Sequence, residues 1–312
     1  MYVNETTRGN ITAEVLLDSI NSKGVRLTTL VVQIPRIVLA EFNTHRKLSR
    51  NSASSRAIPF EKMVNNVIHN PFIPMAVQKT HKGMQGTEYI DEEAYNEFKD
   101  IWLSNLDDAV AGAVCLNEQK VTKQITNRLL EPFLYHKILV TSTSFDNFMA
   151  LRNHEAAEIH IAEAALKLTI AMNNSVPRYM NQWGMHLPFI IDSEVQDYLN
   201  SEHYQEVQTE LEVLQATHDF DQFPLSDIYL ALISAGKCAK VSYNNFDGIA
   251  DHKADYSLAV KLITSGHWSP MEHIGINTPT INNITSNFCA SWTQFRSLFK
   301  NQNLIDNRLR KY

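Results

Sequence analysis

The sequence predicts a mixed α/β (α+β) fold: a mainly antiparallel, twisted sheet with helices packed on it. Three observations lead there. Val15-Leu16-Leu17 and the run from Leu27 to Ile34 read as strands joined by a turn at Asn21-Ser22-Lys23-Gly24. The stretch His136 to Thr143 is a further strand-like run. Segments with helical periodicity surround these strands, the clearest from Asp91 to Cys115, where Tyr95, Phe98, Trp102 and Leu106 fall near one stripe.

Taken in order, Pro35 ends the second strand, and residues 36–42 open a helix that carries a basic segment at its far end. Pro59 to Val64 begins another helix, and residues 71–88, rich in Pro, Gly, Gln and Lys, read as a long loop. Lys120 to Leu130 is expected to be helical and to stop near Pro132. Phe145 to Leu151 and Glu155 to Met172 read as helices, Ser193 to Thr217 as one long polar helix, and Asp227 to Ala235 and Ala254 to Ser265 as two more. No fixed-period repeat or low-complexity segment appears, and neither residues 71–88 nor Gln222-Phe223-Pro224 reads as a flexible linker. A single domain over residues 1–312 is therefore expected.

Hydrophobic content of 44% and charged content of 20% are those of an ordinary globular protein. A net charge of −6 provides no global basic field, so neither nucleic acid nor an anionic membrane is expected as a partner. Anion binding must then be local. Cys115, Cys238 and Cys289 are odd in number and lack CxxC spacing, which points to reduced thiols in the cytoplasm and not to a disulfide frame or a zinc site. The first residues lack the apolar core of a signal peptide, and no apolar run is long enough to span a bilayer.

The basic segment runs Thr44-His45-Arg46-Lys47-Leu48-Ser49-Arg50-Asn51-Ser52-Ala53-Ser54-Ser55-Arg56. Its composition argues against burial. Its guanidinium groups suit a forked grip on phosphate, and its hydroxyls and amide add further donors. A donor-rich loop between two packed elements suggests an anion site on a rigid frame, whereas composition alone slightly favours a solvated basic loop. The spacing of His45, Arg46, Ser49, Asn51, Ser54 and Arg56 resembles the signature of flavin-dependent thymidylate synthases. Thr44 stands where that family usually has arginine, and Ser52 where it usually has glutamate.

Further segments share the resemblance. Arg128 precedes Pro132, and Asn147 and Arg152 are separated by an apolar Phe-Met-Ala-Leu stretch, as in the family. His154 and Glu158 are spaced to face one another on a helix, where a packing role is expected. Cys238-Ala239-Lys240-Val241-Ser242 resembles the family's Ala-Arg-Val-Ser segment. Gly266-His267-Trp268-Ser269-Pro270-Met271-Glu272-His273 resembles its Gly-His…Glu-His block, with Ser269 placed to cap a short helix. His267 and His273, with Glu272 beside them, lack a third well-spaced ligand, so no metal is expected. In the family this last block usually precedes the His-Arg segment. The chain therefore resembles a circularly permuted, phage-type member, with likeness over residues 25–180 and 232–275 and a helical insertion at about 190–230. The aromatic-Arg tail Trp292 to Arg296 is a candidate replacement for the arginine missing at Thr44.

The resemblance implies reductive methylation of dUMP to dTMP. It implies FAD as cofactor, with methylenetetrahydrofolate and NADPH as co-substrates, and a homotetramer with sites at subunit interfaces. It assigns Ser54, Ser55, Arg56, Arg128 and Arg152 to the nucleotide, with Arg152 at the pyrimidine edge. It places His45, Arg46, Asn51, Asn147, Ser242, His267, Ser269 and Glu272 around the flavin. Arg152, Ser54 and His267 are the residues nearest the chemistry. Two alternatives stay open: a related flavoenzyme that adds another group to a pyrimidine deoxynucleotide, and a non-catalytic nucleotide-binding protein.

Overall fold

The computed structural model describes residues 2–83, 86–241, 251–279, 287–289 and 291–300. The first half holds α1 (Glu5–Asn10), β1 (Thr12–Ile20), β2 (Arg26–Pro35), α2 (Leu39–Asn43), β3 (Ser49–Ser52), α3 (Phe60–His69), α4 (Glu92–Glu118), α5 (Lys123–Thr126) and β4 (Tyr135–Ser142). The second holds α6 (Asp146–Arg152), α7 (Ile159–Asn173), β5 (Arg178–Tyr179), β6 (Met185–His186), α8 (Val195–Leu199), α9 (Glu202–Glu206) and α10 (Gln208–Thr217). It ends with α11 (Leu225–Lys240), α12 (His252–Thr264), β7 (Gly275–Asn277) and β8 (Trp292–Gln294). This is an α+β fold.

The hairpin turn forms because the Asn21 side chain accepts from the amides of Lys23 and Val25, both at 3.0 Å, while Gly24 takes φ +75°. The main sheet has the order β3-β4-β2-β1-β5, antiparallel except for the short parallel pair β1–β5. One face buries Leu30, Val32, Ile34, Ile138 and Val140 against Phe148 of α6 and Ile161, Ala164, Ala165 and Leu168 of α7. Behind the other face, Leu139 meets Cys238 and Val241 at the end of α11. A second, three-stranded sheet, β6-β7-β8, joins α11 and α12 in the C-terminal core.

A buried line of hydrogen bonds stitches the two sheets together. Ser19 Oγ meets His186 Nδ1, His186 Nε2 meets Thr29 Oγ1, Thr29 Oγ1 meets Thr141 Oγ1, and Thr141 Oγ1 meets His273 Nδ1, each at 2.8 Å. Burial holds both imidazoles neutral, with pKa values pushed down to about 3.

Three expected elements differ. Residues 193–217 do not form one helix: the Ser201 hydroxyl accepts from the Tyr204 amide at 3.2 Å and starts α9, so the stretch breaks into α8, α9 and α10. Residues 120–130 shrink to α5, capped by Thr122, followed by a 3-10 turn over Asn127–Phe133 that contains Pro132. The donor segment is not a solvated loop. Ser49–Ser52 is an edge strand, and Ser49, Asn51, Ala53 and Ser55 are buried while the residues between them are not.

Helices α11 and α12 touch at Gly236. A Cβ there would lie 2.0 Å from the Asp255 carbonyl oxygen and 2.6 Å from its carbon. Gly236→Ala must push the helices apart, so a loss of about 1–3 kcal/mol is expected from overpacking. Urea unfolding of the variant checks it, and an unchanged midpoint counts against this close approach.

Candidate functional site

The end of α11, the edge strand β3 and the turn after α12 meet around a cleft of ≈ 430 Å³. Asn51, Ser52, Ser54 and Arg56 line it from the donor segment, His267 and Ser269 from the Gly-His block, and Gln124 from α5. Two sequence blocks far apart in the chain thus share one cavity, of a size typical for small-molecule sites. The frame beneath it is firm. Asn51 Nδ2 donates to the Cys238 carbonyl at 3.5 Å, and Gln294 Nε2 bridges Ser49 Oγ at 2.8 Å and the Glu272 carbonyl at 3.0 Å.

The polar groups in the cleft are poised for a ligand. Arg56 is exposed, and its guanidinium has no protein partner among the described residues. His267 Nδ1 meets Ser265 Oγ at 3.0 Å, which leaves Nε2 for the cleft. Ser269 does not cap a helix as the sequence suggested. It lies inside the 3-10 turn Ser269–Glu272, with Trp268 at the cap position and no side-chain cap bond. Its hydroxyl is therefore not committed to the turn.

His45, Arg46 and Asn147 line a separate cavity of ≈ 220 Å³ between the end of α2 and the start of α6. Arg152 bonds to its wall: its Nε donates to His45 Nε2 at 3.0 Å and its Nη2 to Thr44 Oγ1 at 3.2 Å and the Glu41 carbonyl at 3.4 Å. Thr44, standing in place of the expected arginine, thus becomes an acceptor for Arg152. Burial, first, and then the charge of Arg152 push the His45 pKa down. With its Nε2 accepting, the imidazole is neutral and protonated on Nδ1. Arg152→Gln is expected to raise the His45 pKa toward its ordinary value, checked by NMR titration of the ring nitrogens. A fixed or lower value contradicts the contact.

Four assignments need correction or relocation. Ser55 turns away from the cleft and donates to the Glu131 carboxylate from the turn over residues 55–57 that follows β3. Arg128 is exposed and donates to the Gln124 carbonyl at 3.1 Å, so it lies beside the cleft wall and does not line it. Glu272 is engaged by Arg296 of the tail, so that arginine is delivered to Glu272. Glu158 does not pair with His154 along a helix. It caps α7 through the amides of His160 and Ile161, and residues 153–158 are turns. Ser242 lies outside the described residues.

Sequence reasoning missed Gln124 and Arg50. Gln124 sits one turn before Arg128 on a helix capped by Thr122, a pattern visible in the sequence. Arg50 is partly buried beside Arg46 and Glu272 and donates to the His45 carbonyl at 2.7 Å. Among the described residues no group of three His, Cys, Asp or Glu side chains is arranged to hold a metal, and no helix is long and apolar enough to cross a membrane.

No family model matches the chain, and no curated protein matches it. A solved structure that does match is a UMP/dUMP methylase, PolB from Streptomyces cacaoi, bound with 5-Br UMP. The match has a TM-score of 0.43 and 14% identity, covering 52% of this chain and 88% of that one. At this similarity neither the nucleotide nor the methylation carries over to this chain.

Proposed function

We propose that the chain is a flavin-dependent methylase of a pyrimidine deoxynucleotide that converts dUMP to dTMP, with methylenetetrahydrofolate as one-carbon donor and NADPH as reductant. The observation that carries this reading is the single cleft shared by Asn51, Ser54 and Arg56 with His267 and Ser269. These are the residues for which the sequence resembles one family's nucleotide and flavin blocks.

The donor set fits both ligands. Arg56 and Ser54 offer a fork and a hydroxyl to a phosphate. Asn51, His267 and Ser269 offer the mixed donors and acceptors that a flavin ring edge requires. When bound, the flavin supplies hydride to the pyrimidine, so no protein nucleophile is required. Cys238 accords with this: it is fully buried, and burial raises its thiol pKa, so it stays protonated. The work of the chain is to hold the nucleotide by its phosphate, orient the base and keep water out of the cleft. His45 and Asn147 line their own cavity within the chain, with Arg152 bonded to His45. In this reading a neighbouring copy completes the site, in a homotetramer, and brings Arg152 to the carbonyl edge of the base. All of this fits the cytoplasm, where reduced cofactors are found.

A second reading has one observation in its favour. Ser52 lines the cleft where the family has a larger, charged glutamate, which leaves room and removes a negative charge. A related flavoenzyme that adds a different group would use that space. Titrating the purified chain with FAD and recording the visible spectrum tests the shared premise of both readings. A perturbed flavin spectrum that responds to dUMP is expected. A chain that binds the nucleotide but no flavin would be a non-catalytic binding protein.

A further inference from the structure

The buried line between the two sheets ends at the turn that carries one side of the cleft. Ser19, Thr29 and Thr141 supply it from β1, β2 and β4, and Thr29 and Thr141 lie directly opposite one another in the sheet. Thr141 is also opposite Ser49 of β3, in the segment that runs on to Asn51 and Ser54 of the cleft. From this position its hydroxyl meets His273 Nδ1 at 2.8 Å. His273 closes the 3-10 turn Ser269–Glu272, whose Ser269 and Pro270 line the cleft. Thr141 thus touches both cleft-forming blocks, β3 through strand pairing and the Gly-His block through its side chain.

The line also fixes an order of protons. Each hydroxyl has one proton to donate and each neutral imidazole one N–H. Thr29, Thr141, His186 and His273 are fully buried, and His273 Nε2 has no partner among the described residues, so nothing there competes with the line. If Ser19 donates to His186 Nδ1, the order passes through Thr29 and Thr141 and leaves both imidazoles protonated on Nε2. Run the other way, it leaves both protonated on Nδ1. A His186 protonated on Nδ1 with a His273 protonated on Nε2 would spend both threonine protons on the rings, setting lone pairs against each other across the 2.8 Å Thr29–Thr141 contact. The reverse mixture would leave one threonine proton in the line buried without an acceptor.

We infer that Thr141 is a positioning residue for the cleft: its hydroxyl fixes His273, and through it the turn bearing Ser269, to the sheet edge that bears Asn51. The same bond transmits the proton order, so His186 and His273 share one tautomer. Thr141 is fully buried and does not line the cleft, so it acts through His273 and not on a ligand. Its effect on ligand affinity rests on the cleft being the flavin and nucleotide site proposed above.

Nitrogen-15 NMR of the full chain, with calorimetric titration of FAD, tests it. In the wild type, His186 and His273 should carry their proton on the same ring nitrogen. Thr141→Val keeps the side-chain shape and removes the hydroxyl. It should shift the Ser269 and Met271 amide resonances and weaken FAD binding by roughly tenfold. Thr141→Ser should restore both. Thr7→Val removes another buried hydroxyl, one that donates to the Ile73 carbonyl at 2.8 Å and is not part of the line, and should leave the Ser269 resonance and FAD affinity unchanged. If Thr141→Val fails to fold, Thr29→Val decides, because it cuts the line one bond earlier and should also weaken FAD. Different tautomers on the two rings, an unchanged Ser269 resonance and FAD affinity in the variant that cuts the line, or an equal loss in Thr7→Val overturns the proposal. A wild type that binds no FAD refutes the flavin reading alone, and the tautomers and amide resonances still decide this one.

Discussion

Replacing Arg56 with alanine is expected to weaken dUMP binding roughly ten- to hundredfold, because a charge-assisted contact to phosphate is worth about 1.5–3 kcal/mol. Flavin affinity should change far less. The reason is geometric: Arg56 lines the cleft with a guanidinium that has no partner among the described residues, whereas Asn51 reaches the cleft from β3 and His267 and Ser269 reach it from the turn after α12. Arg56→Lys should rescue only in part, since it keeps the charge and loses the fork. Calorimetric titration of each ligand into wild type and variant checks this. Equal losses for both ligands would mean that Arg56 holds the cavity together and does not select the phosphate.

Acid is expected to unfold the chain well before the folded-state pKa values of its buried histidines are reached. His136, His186 and His273 all have pKa values pushed down to about 3, chiefly by burial. In the unfolded chain they return to the ordinary value of about 6.5 and take up protons there. Between those limits the unfolded state binds more protons, so stability is full above about pH 6.5 and falls as pH drops toward 3. Each group contributes on the order of a few kcal/mol, against a total stability of about 5–15 kcal/mol for a typical domain. His186 and His273 are fully buried and sit in the hydrogen-bonded line between the two sheets, so protonating either one places a desolvated cation inside it. Far-ultraviolet circular dichroism across this pH range is the check. A fold intact at the acid end would mean that the imidazoles gain compensating partners on protonation.

The parts of the fold legible in the sequence were those set by local chemistry. Asn21 and Gly24 announced the hairpin turn, the apolar run at residues 136–143 announced β4, and Asp91 announced the start of α4 by capping it. The edge strand β3 was hidden because its buried positions are Ser49 and Asn51, polar residues whose partners come from the distant Gln294 and Cys238. The break in residues 193–217 was hidden because a polar segment carries no periodic apolar stripe to show where the helix turns away.

The candidate site was legible in kind but not in arrangement. Motif spacing identified Asn51, Ser54, Arg56, His267 and Ser269, which line one cleft. It did not show that Ser55 would face the other way, since its partner Glu131 lies 76 positions further along the chain. Nor did it show that Arg152 would rest on His45 and Thr44, contacts that span 107 and 108 positions and depend on how α6 packs against α2. The pairing of Glu272 with Arg296 has the same origin: β8 lies beside β7 and brings the tail back over the Gly-His block.

Under the proposed function, methylenetetrahydrofolate supplies the carbon and reduced flavin the hydride for methylation of a pyrimidine nucleotide in the cleft. Incubation of the purified chain with FAD, NADPH, methylenetetrahydrofolate and dUMP, with the nucleotide products identified by mass, tests it most directly. The expected product is dTMP, formed only when all four are present and lost in Arg56→Ala at low dUMP. Unchanged dUMP in the complete mixture, under conditions where flavin and nucleotide are both shown to bind, would contradict it.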